Sequence, residues 1–194
     1  LAAHLEDADG QWVDMPEEEH PRLNLCWQLL RSPQFCSWPE PYPEFVKRCF
    51  MFTDQGLTFL DQTERFNIPV RPADHLYNNP PWVQMYLPVW RPLMEAGPDS
   101  WAAYSTDRYI YPVIGAVSRC GKYLTAIACE ANRMMCQAWH DCMHNDAPWM
   151  PSKTRQAKVW RERIYVMEND PQALLERLAA DLPGSMALKE QRVP

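Results

Sequence analysis

Residues 109–130 read YIYPVIGAVSRCGKYLTAIACE, and this stretch decides the fold prediction. Side chains alternate through 114–119, the Cys120-Gly121 pair follows, and a second alternating run returns through 123–127. Two alternating runs joined by a short turn that contains glycine are typical of a β-hairpin. Because both runs are largely apolar, we expect at least one face of this hairpin to be buried.

A second hairpin is predicted upstream of the first one. Residues 45–52, FVKRCFMF, are rich in strand-forming side chains, and LTFLDQTERF follows at 57–66. The Asp54-Gln55-Gly56 sequence between the two runs supplies a turn with glycine. This arrangement is again typical of two antiparallel strands.

Other parts of the chain have weaker strand patterns. VQMYLPVW (83–90) is predicted as a strand in which Pro88 marks an edge or a bulge. WRERIYVME (160–168) alternates in character and is predicted as another strand. For residues 132–146 the pattern leaves both a strand and a loop open.

Two helices are expected. Asp170 is typical of an N-cap and Pro171 of a first helical position, and leucines then repeat at helical spacing, which predicts a helix over 171–182. The Pro183-Gly184 pair ends this helix. A shorter helix is expected within LNLCWQLLR at 23–31.

Composition excludes several classes of protein. The 194 residues carry 19 basic and 25 acidic side chains, a net charge of −6, so nucleic acid is not expected as the partner. No apolar run approaches the roughly 20 residues that a membrane span requires, so no membrane partner is expected. The chain has 19 prolines but only 6 glycines, which excludes a collagen-like or flexible low-complexity chain.

These patterns predict a mostly-β protein, an antiparallel β-sandwich with one short C-terminal helix. Residues 1–44 are expected to form an extended Pro-rich segment that packs on the domain. The β-sandwich domain is expected over 45–184, and 185–194 form a tail.

The cysteines favour a reducing compartment. There are 7 of them, an odd number without tight regular spacing, and the chain has no Asn-x-Ser/Thr acceptor for glycosylation. We therefore expect a cytoplasmic protein in which most cysteines are small core residues.

The densest group of chemically active side chains lies within 136–146. His140, Cys142 and His144 are spaced by two, so on a strand they share one face, and Cys129 is a possible fourth ligand. Zinc accepts such ligands, but the spacing matches no standard zinc signature. No cofactor is therefore favoured, and zinc stays the alternative beside a cap in which these side chains bind loop backbone.

The same segment suits acid–base chemistry. An imidazole oriented by a carboxylate titrates near neutral pH, and a second carboxylate completes the acid and base pair that sugar chemistry needs. The catalytic candidates are His140, Asp141, His144, Asp146 and Glu130.

Aromatic residues beside predicted loops are candidates for sugar binding. Flat aromatic faces pack on the apolar C–H face of a sugar, and a polar rim binds its hydroxyls. The candidates for substrate binding are Trp82, Trp139, Trp149, Arg108, Arg133 and Asn79, with Asp107 also in the rim. The alternative is that the aromatics fill the core and mediate subunit contacts.

The C-terminal third resembles a known family. Its runs are PVIGAVSRCGKYLTAIA (112–128), WHDCMHNDAPWMP (139–151) and RERIYVMENDPQALLERLAADLP (161–183). They resemble the closing part of bacterial β-sandwich proteins of the galactose-mutarotase-like, or super-sandwich, type. Cys142, His144 and Asp146 match the Cys-x-His-x-Asp-Pro-like loop of that family, except that Ala147 intervenes before the proline.

The resemblance implies a carbohydrate-linked function. That superfamily includes sugar epimerases and accessory domains of glycosidases and polysaccharide lyases, so we expect a protein that binds or modifies an aldose or oligosaccharide. A complete super-sandwich usually exceeds 194 residues, so we expect a trimmed version, a fragment, or a chain that completes its sheets by oligomerising, and a homo-oligomer is the expected partner state. The alternatives are a zinc-type enzyme centred on 140–144 and a non-catalytic structural or oligomer-forming protein.

Overall fold

The computed structural model describes residues 24–28, 34–35, 42–65, 83–92, 102–130, 132–138, 142–146 and 161–186. The strands of these ranges are β1 (Asn24–Gln28), β2 (Cys49–Thr53), β3 (Gly56–Phe59), β4 (Val83–Pro88), β5 (Ala102–Tyr109), β6 (Val113–Val117), β7 (Tyr123–Cys129), β8 (Met134–Ala138), β9 (Cys142–Asp146) and β10 (Glu162–Glu168). The helices are α1 (Tyr42–Val46), a 3-10 helix (Leu60–Gln62), α2 (Pro171–Asp181) and α3 (Pro183–Met186).

The described strands form two five-stranded sheets. Sheet A has the order β1-β9-β8-β4-β5, and sheet B has the order β10-β7-β6-β2-β3. The predicted mostly-β class is confirmed, and the two sheets share one buried core, as in a β-sandwich. Strand pairs are antiparallel except β4 with β5, which run parallel. The all-antiparallel prediction therefore fails at this one pair.

Both predicted hairpins are present in sheet B. β6 pairs with β7 with Ile114 opposite Ile127, and Gly121 in the turn has a φ of +73°. β2 pairs with β3, and Gly56 at that turn has a φ of +95°. Positive φ is the conformation that glycine adopts without steric cost, which explains both turns. The first run is shorter than predicted because residues 45–46 belong to α1.

The prediction of a helix at 23–31 is wrong. Residues Asn24–Gln28 form β1, which pairs antiparallel with β9, and Cys26 lies opposite His144. A short apolar run suits a helix or a strand equally, and the partner strand decides between them. Residues 132–146, where strand and loop were both open, form the β8–β9 pair.

The Pro-rich segment also differs from the expectation of an extended chain. α1 spans Tyr42–Val46 and crosses the predicted boundary at 44 and 45. Pro43 lies in its first turn, where proline is tolerated because no intrahelical acceptor exists for its missing N–H. β4 contains Pro88 as its last residue and lies between β8 and β5, so it is not at an edge. A register shift between Met85 and Leu87 shows the bulge that the proline predicted.

The main core lies between the two sheets. Alternate side chains from β2, β6 and β7 meet alternate side chains from β4, β8 and β9. The central members are Met51, Ile114, Ile127, Tyr86, Met135 and Met143. Asn145 is also buried, and its Nδ2 donates to the carbonyl oxygens of Pro112 and Ile127 on the sheet B side. One polar side chain thereby ties the two sheets together.

α2 covers the outer face of sheet B. Leu174, Leu178 and Leu182 pack against the apolar face that includes Phe50 and Leu124. The predicted helix is confirmed, because α2 begins at Pro171 and its Asp170 N-cap accepts a hydrogen bond from the N–H of Ala173 at 3.0 Å. Within the described ranges, none of the helices is long and apolar enough to cross a membrane.

Candidate functional site

A polar groove of about 470 Å³ opens where the β2–β3 turn, the 3-10 helix and β5 meet. It therefore lies at the side of the sandwich where β3 ends sheet B and β5 ends sheet A. The groove is lined by Thr53, Asp54, Gln55, Leu57, Thr58, Gln62, Val89, Thr106, Asp107 and Arg108.

Backbone hydrogen bonds bring these elements together. The N–H of Ile110, just after β5, donates to the carbonyl oxygen of Phe52 on β2 at 2.8 Å. The chain that follows the 3-10 helix then runs beside β5: the N–H of Glu64 donates to Oδ2 of Asp107 at 2.6 Å, and Oγ of Ser105 donates to the carbonyl oxygen of Glu64 at 2.7 Å. The walls of the groove are therefore fixed to both sheets.

The β2–β3 wall is held by its own side chains. Oγ1 of Thr53 and Oγ1 of Thr58 lie 2.8 Å apart, and the N–H of Gln55 donates to Oγ1 of Thr53 at 3.1 Å. Such local bonds order the turn before any ligand binds, which lowers the entropy that binding would cost.

The lining combines hydroxyls, amides and carboxylates with a small apolar part. Asp54 and Asp107 supply carboxylates, and Leu57 and Val89 are 38% and 42% exposed. These two are among five large hydrophobic side chains that are exposed in the described residues. The other three, Ile164, Val166 and Tyr123, share one face of the β10–β7 pair.

Arg108 is the one cation of the groove lining. One Nη2 hydrogen is donated to the carbonyl oxygen of Pro88 at 2.8 Å. Burial lowers the pKa of this guanidinium, Tyr109 opposes that shift, and the positive charge of Arg91 lowers the pKa further.

The structure brings some predicted site residues together and separates others. Asp107 and Arg108, both expected in a polar rim, line the groove side by side. Arg133 and Asp146 lie elsewhere on sheet A, where the N–H of Arg133 donates to the carbonyl oxygen of Asp146 at 2.8 Å. Glu130 accepts a hydrogen bond from Arg161 at 3.2 Å, beyond the end of β7.

Cys142 and His144 occupy alternate positions of β9, so they share a face of sheet A as predicted. Cys142 is fully buried among apolar side chains, and His144 is half-buried opposite Cys136. In the described part of the chain, no three His, Cys, Asp or Glu side chains are grouped to bind a metal ion. His140 lies outside the described residues, so the zinc alternative stays a prediction.

Several other candidates also lie outside the described residues. They are Asp141, Trp82, Trp139, Trp149 and Asn79. Their assigned roles in catalysis and sugar binding stay predictions.

Most of the groove residues were not among the sequence candidates. Thr53 and Asp54 come from the β2–β3 hairpin, Gln62 comes from the 3-10 helix, and Thr106 comes from β5, for which no strand was predicted. The only local signal was the polar Asp54-Gln55-Gly56 turn, and polar turns are common on any protein surface.

The fold and the site define a β-sandwich protein with a polar groove at one side of its two sheets. Comparisons with protein families, with curated proteins and with solved structures find no match for this chain. The choice of ligand therefore depends on the chemistry of the groove itself.

Proposed function

We propose that this protein binds carbohydrate in the groove between the β2–β3 turn and β5. The observation that carries the proposal is the groove lining, in which hydroxyl, amide and carboxylate groups surround two exposed aliphatic side chains. The volume of about 470 Å³ lies within the usual range of small-molecule sites.

The chemistry of a sugar ring matches this lining. Each sugar hydroxyl both donates and accepts, so it pairs with the Asp54 carboxylate as a donor and with the Arg108 guanidinium as an acceptor. The apolar C–H face of the ring needs a surface without hydrogen-bonding groups, and Leu57 and Val89 offer one.

The proposed function is binding. The acid–base chemistry expected for His144, Asp146 and Glu130 stays a prediction, since these residues do not line the groove. The resemblance to galactose-mutarotase-like proteins stays a prediction from sequence, and it supports a carbohydrate ligand. The homo-oligomer also stays a prediction.

The test is a panel of neutral and charged mono- and oligosaccharides, followed by calorimetry and by the shift in melting temperature. We expect at least one saccharide to bind the wild-type chain. Asp54→Asn removes a charge from the groove with little change in shape, and we expect it to weaken binding at least threefold. Asp61→Asn is the matched control, because Asp61 is exposed on the 3-10 helix but does not line the groove.

Two results would overturn the proposal. A panel without any binder would refute carbohydrate binding. A saccharide that binds both variants and the wild type equally, and also binds Gln62→Ala and Thr106→Val unchanged, would refute this groove as its site.

A further inference from the structure

Two buried nitrogen donors, Nε1 of Trp90 and Nε of Arg108, have no hydrogen-bond acceptor among the described residues and lie at or beside the turn that follows β4, next to the groove. The turn is closed by the N–H of Arg91, which donates to the carbonyl oxygen of Pro88 at 3.0 Å. The guanidinium of Arg108 donates to the same oxygen at 2.8 Å. Arg91 and Arg108 are therefore joined through one backbone acceptor.

One nitrogen of the Arg108 guanidinium has no partner within the described ranges. Its Nε is buried and has no hydrogen-bond partner, and the side chain forms no ion pair with any carboxylate of the described residues. A half-buried guanidinium whose protein contact is one neutral carbonyl lacks the anionic partner that usually offsets its desolvation.

Trp90 adds a second unused donor on the same turn. Its Nε1 is buried and has no hydrogen-bond partner among the described residues. Trp90 lies between Val89, which lines the groove, and Arg91. Buried indole N–H groups are normally paired, so an unpaired one next to a groove points to an acceptor that the described residues do not supply.

Arg91 brings a second positive charge to this turn. One of its Nη1 hydrogens is donated to the carbonyl oxygen of Arg133 at 3.2 Å, and it too forms no ion pair with a described carboxylate. Burial is the main cause of the lowered pKa of Arg108, and repulsion by the neighbouring positive charge of Arg91 lowers this pKa further. An anion between or beside them would relieve this repulsion.

We propose that the saccharide bound in the groove is anionic, and that its carboxylate or sulfate group binds the Arg108 guanidinium at the Val89 side, within the field of Arg91. This inference rests on the proposed function. A guanidinium recognises planar carboxylates and sulfate oxygens through paired, charge-assisted hydrogen bonds, which a neutral hydroxymethyl group does not match.

The carboxylates of the groove are compatible with an anionic ligand. Asp107 already accepts a hydrogen bond from the N–H of Glu64 at 2.6 Å, so part of its charge is balanced within the protein. Asp54 lies on the β2–β3 turn and is free to accept from sugar hydroxyls.

The test compares matched pairs of saccharides by calorimetry. Each neutral oligosaccharide of the panel is paired with the derivative in which the C6 hydroxymethyl group is oxidised to a carboxylate, and with its 6-sulfate. We expect one of the two charged forms to bind at least tenfold more tightly than the neutral form. That preference should shrink as salt concentration rises.

Variants locate the charged group. Arg108→Gln should remove the tenfold preference, so that the charged and neutral forms bind this variant with affinities within about threefold of each other. Arg91→Gln should reduce the preference without abolishing it, because Arg91 acts through its field. Arg163→Gln is the control, since Arg163 is exposed on β10 and outside the groove. Retained melting temperatures show that the variants fold.

The outcomes separate this inference from the proposed function. Equal affinity for neutral and charged forms, or a preference that survives Arg108→Gln, overturns the inference while carbohydrate binding stands. A preference for the carboxylate over the sulfate, or the reverse, identifies the charged group and supports the inference. Absence of binding by every saccharide overturns both.

Discussion

The ring of Phe50 packs against Gly115, its register partner on the neighbouring strand of sheet B. A Cβ atom on Gly115 would lie 2.8 Å from Cε1 of Phe50 and 2.8 Å from the carbonyl oxygen of Thr125. Because the carbonyl oxygen of Thr125 belongs to the backbone, a Cβ atom on Gly115 fits only if the sheet shifts. The glycine is therefore required by the close approach of its neighbours.

We predict that Gly115→Ala lowers the free energy of unfolding by roughly 1–3 kcal/mol, as overpacking of a well-packed core does. Urea denaturation measures this change. Gly121→Ala is the comparison: nothing lies within 4 Å of its Cβ position, so only the positive φ of +73° is strained. That variant should lose about 1 kcal/mol, and Gly121→Asn should recover most of it. Equal stability of Gly115→Ala and the wild type would contradict the close packing.

We predict that truncation of the buried Asn145 side chain causes a large loss in the free energy of unfolding. Its amide donates to two carbonyl oxygens at 2.9 and 3.1 Å and its Oδ1 accepts from Asn132 at 2.5 Å. Asn145→Ala removes all three of these buried hydrogen bonds, and we expect a loss of about 3 kcal/mol in the free energy of unfolding. Asn169→Ala, which removes one exposed hydrogen bond, should cost less than about 1 kcal/mol. Similar losses in the two variants would refute a special role for Asn145.

We predict that the stability contributed by the Tyr165 phenol is lost at alkaline pH. Burial, together with the carboxylate of Asp181, raises the pKa of this phenol to about 12. An unfolded tyrosine ionises near about pH 10, so the phenol of the unfolded chain loses its proton first. The stability that Tyr165 contributes is therefore complete below about pH 10 and is lost as pH rises towards about 12.

The measurement for Tyr165 is the phenolate absorbance of the wild type minus that of Tyr165→Phe. We expect this absorbance difference to appear with a midpoint at about pH 12 in the folded protein. The stability of Tyr165→Phe should also fall less steeply above about pH 10 than that of the wild type. A difference spectrum that titrates near about pH 10 would contradict the burial of this phenol.

Cys120 is predicted to react before the other described cysteines. It is exposed, whereas Cys49, Cys129, Cys136 and Cys142 are buried. The hydrogen bond with Ser118, whose Oγ lies 3.4 Å from Sγ, lowers the pKa of the Cys120 thiol, and the backbone N–H of Lys122 adds to the effect. Thiolate is the reactive form, so a lower pKa extends reactivity to lower pH.

Alkylation with iodoacetamide at several pH values, followed by peptide mapping, tests this prediction. The rate at Cys120 should reach its midpoint below the pH of an ordinary thiol. Ser118→Ala should move that midpoint upward, and Ser185→Ala, a serine in α3, should leave it in place. A midpoint that Ser118→Ala does not move would show that the hydroxyl has no influence on the thiol.

The N-cap of α2 offers a smaller test of stability. Asp170→Ala removes the bond to the N–H of Ala173, and we expect a loss of about 1 kcal/mol, with Asp170→Ser nearly neutral. Thermal unfolding measures both. A loss of the same size in both variants would mean that the aspartate acts through something other than its cap.

Local patterns predicted the elements that are stabilised by neighbours in sequence. The β6–β7 hairpin depends on an alternation and a glycine turn within 113–129, and α2 depends on the Asp170-Pro171 start. β1 was predicted as a helix because its partner, β9, lies more than a hundred residues away. A local sequence pattern cannot indicate a pairing between strands that lie so far apart in the chain.

The candidate site was harder to predict for the same reason. Asp54 comes from the β2–β3 hairpin and Asp107 from β5, and the two meet because Ile110 bonds to Phe52 across the two sheets. The sequence identified Asp107 and Arg108 as members of a polar rim, but the opposite wall of the groove exists only after the sheets pack.

The pairing of β1 with β9 also sets an order of events during protein synthesis. Asn24 emerges from the ribosome long before Asp146, its register partner, has been added to the chain. At roughly 5–20 residues per second, that interval lasts several seconds. The β2–β3 hairpin is synthesised early in that interval and has time to form, while the apolar β1 segment remains without its partner strand. A nascent chain stalled before β9 is therefore the form of this protein that most needs the protection of a chaperone.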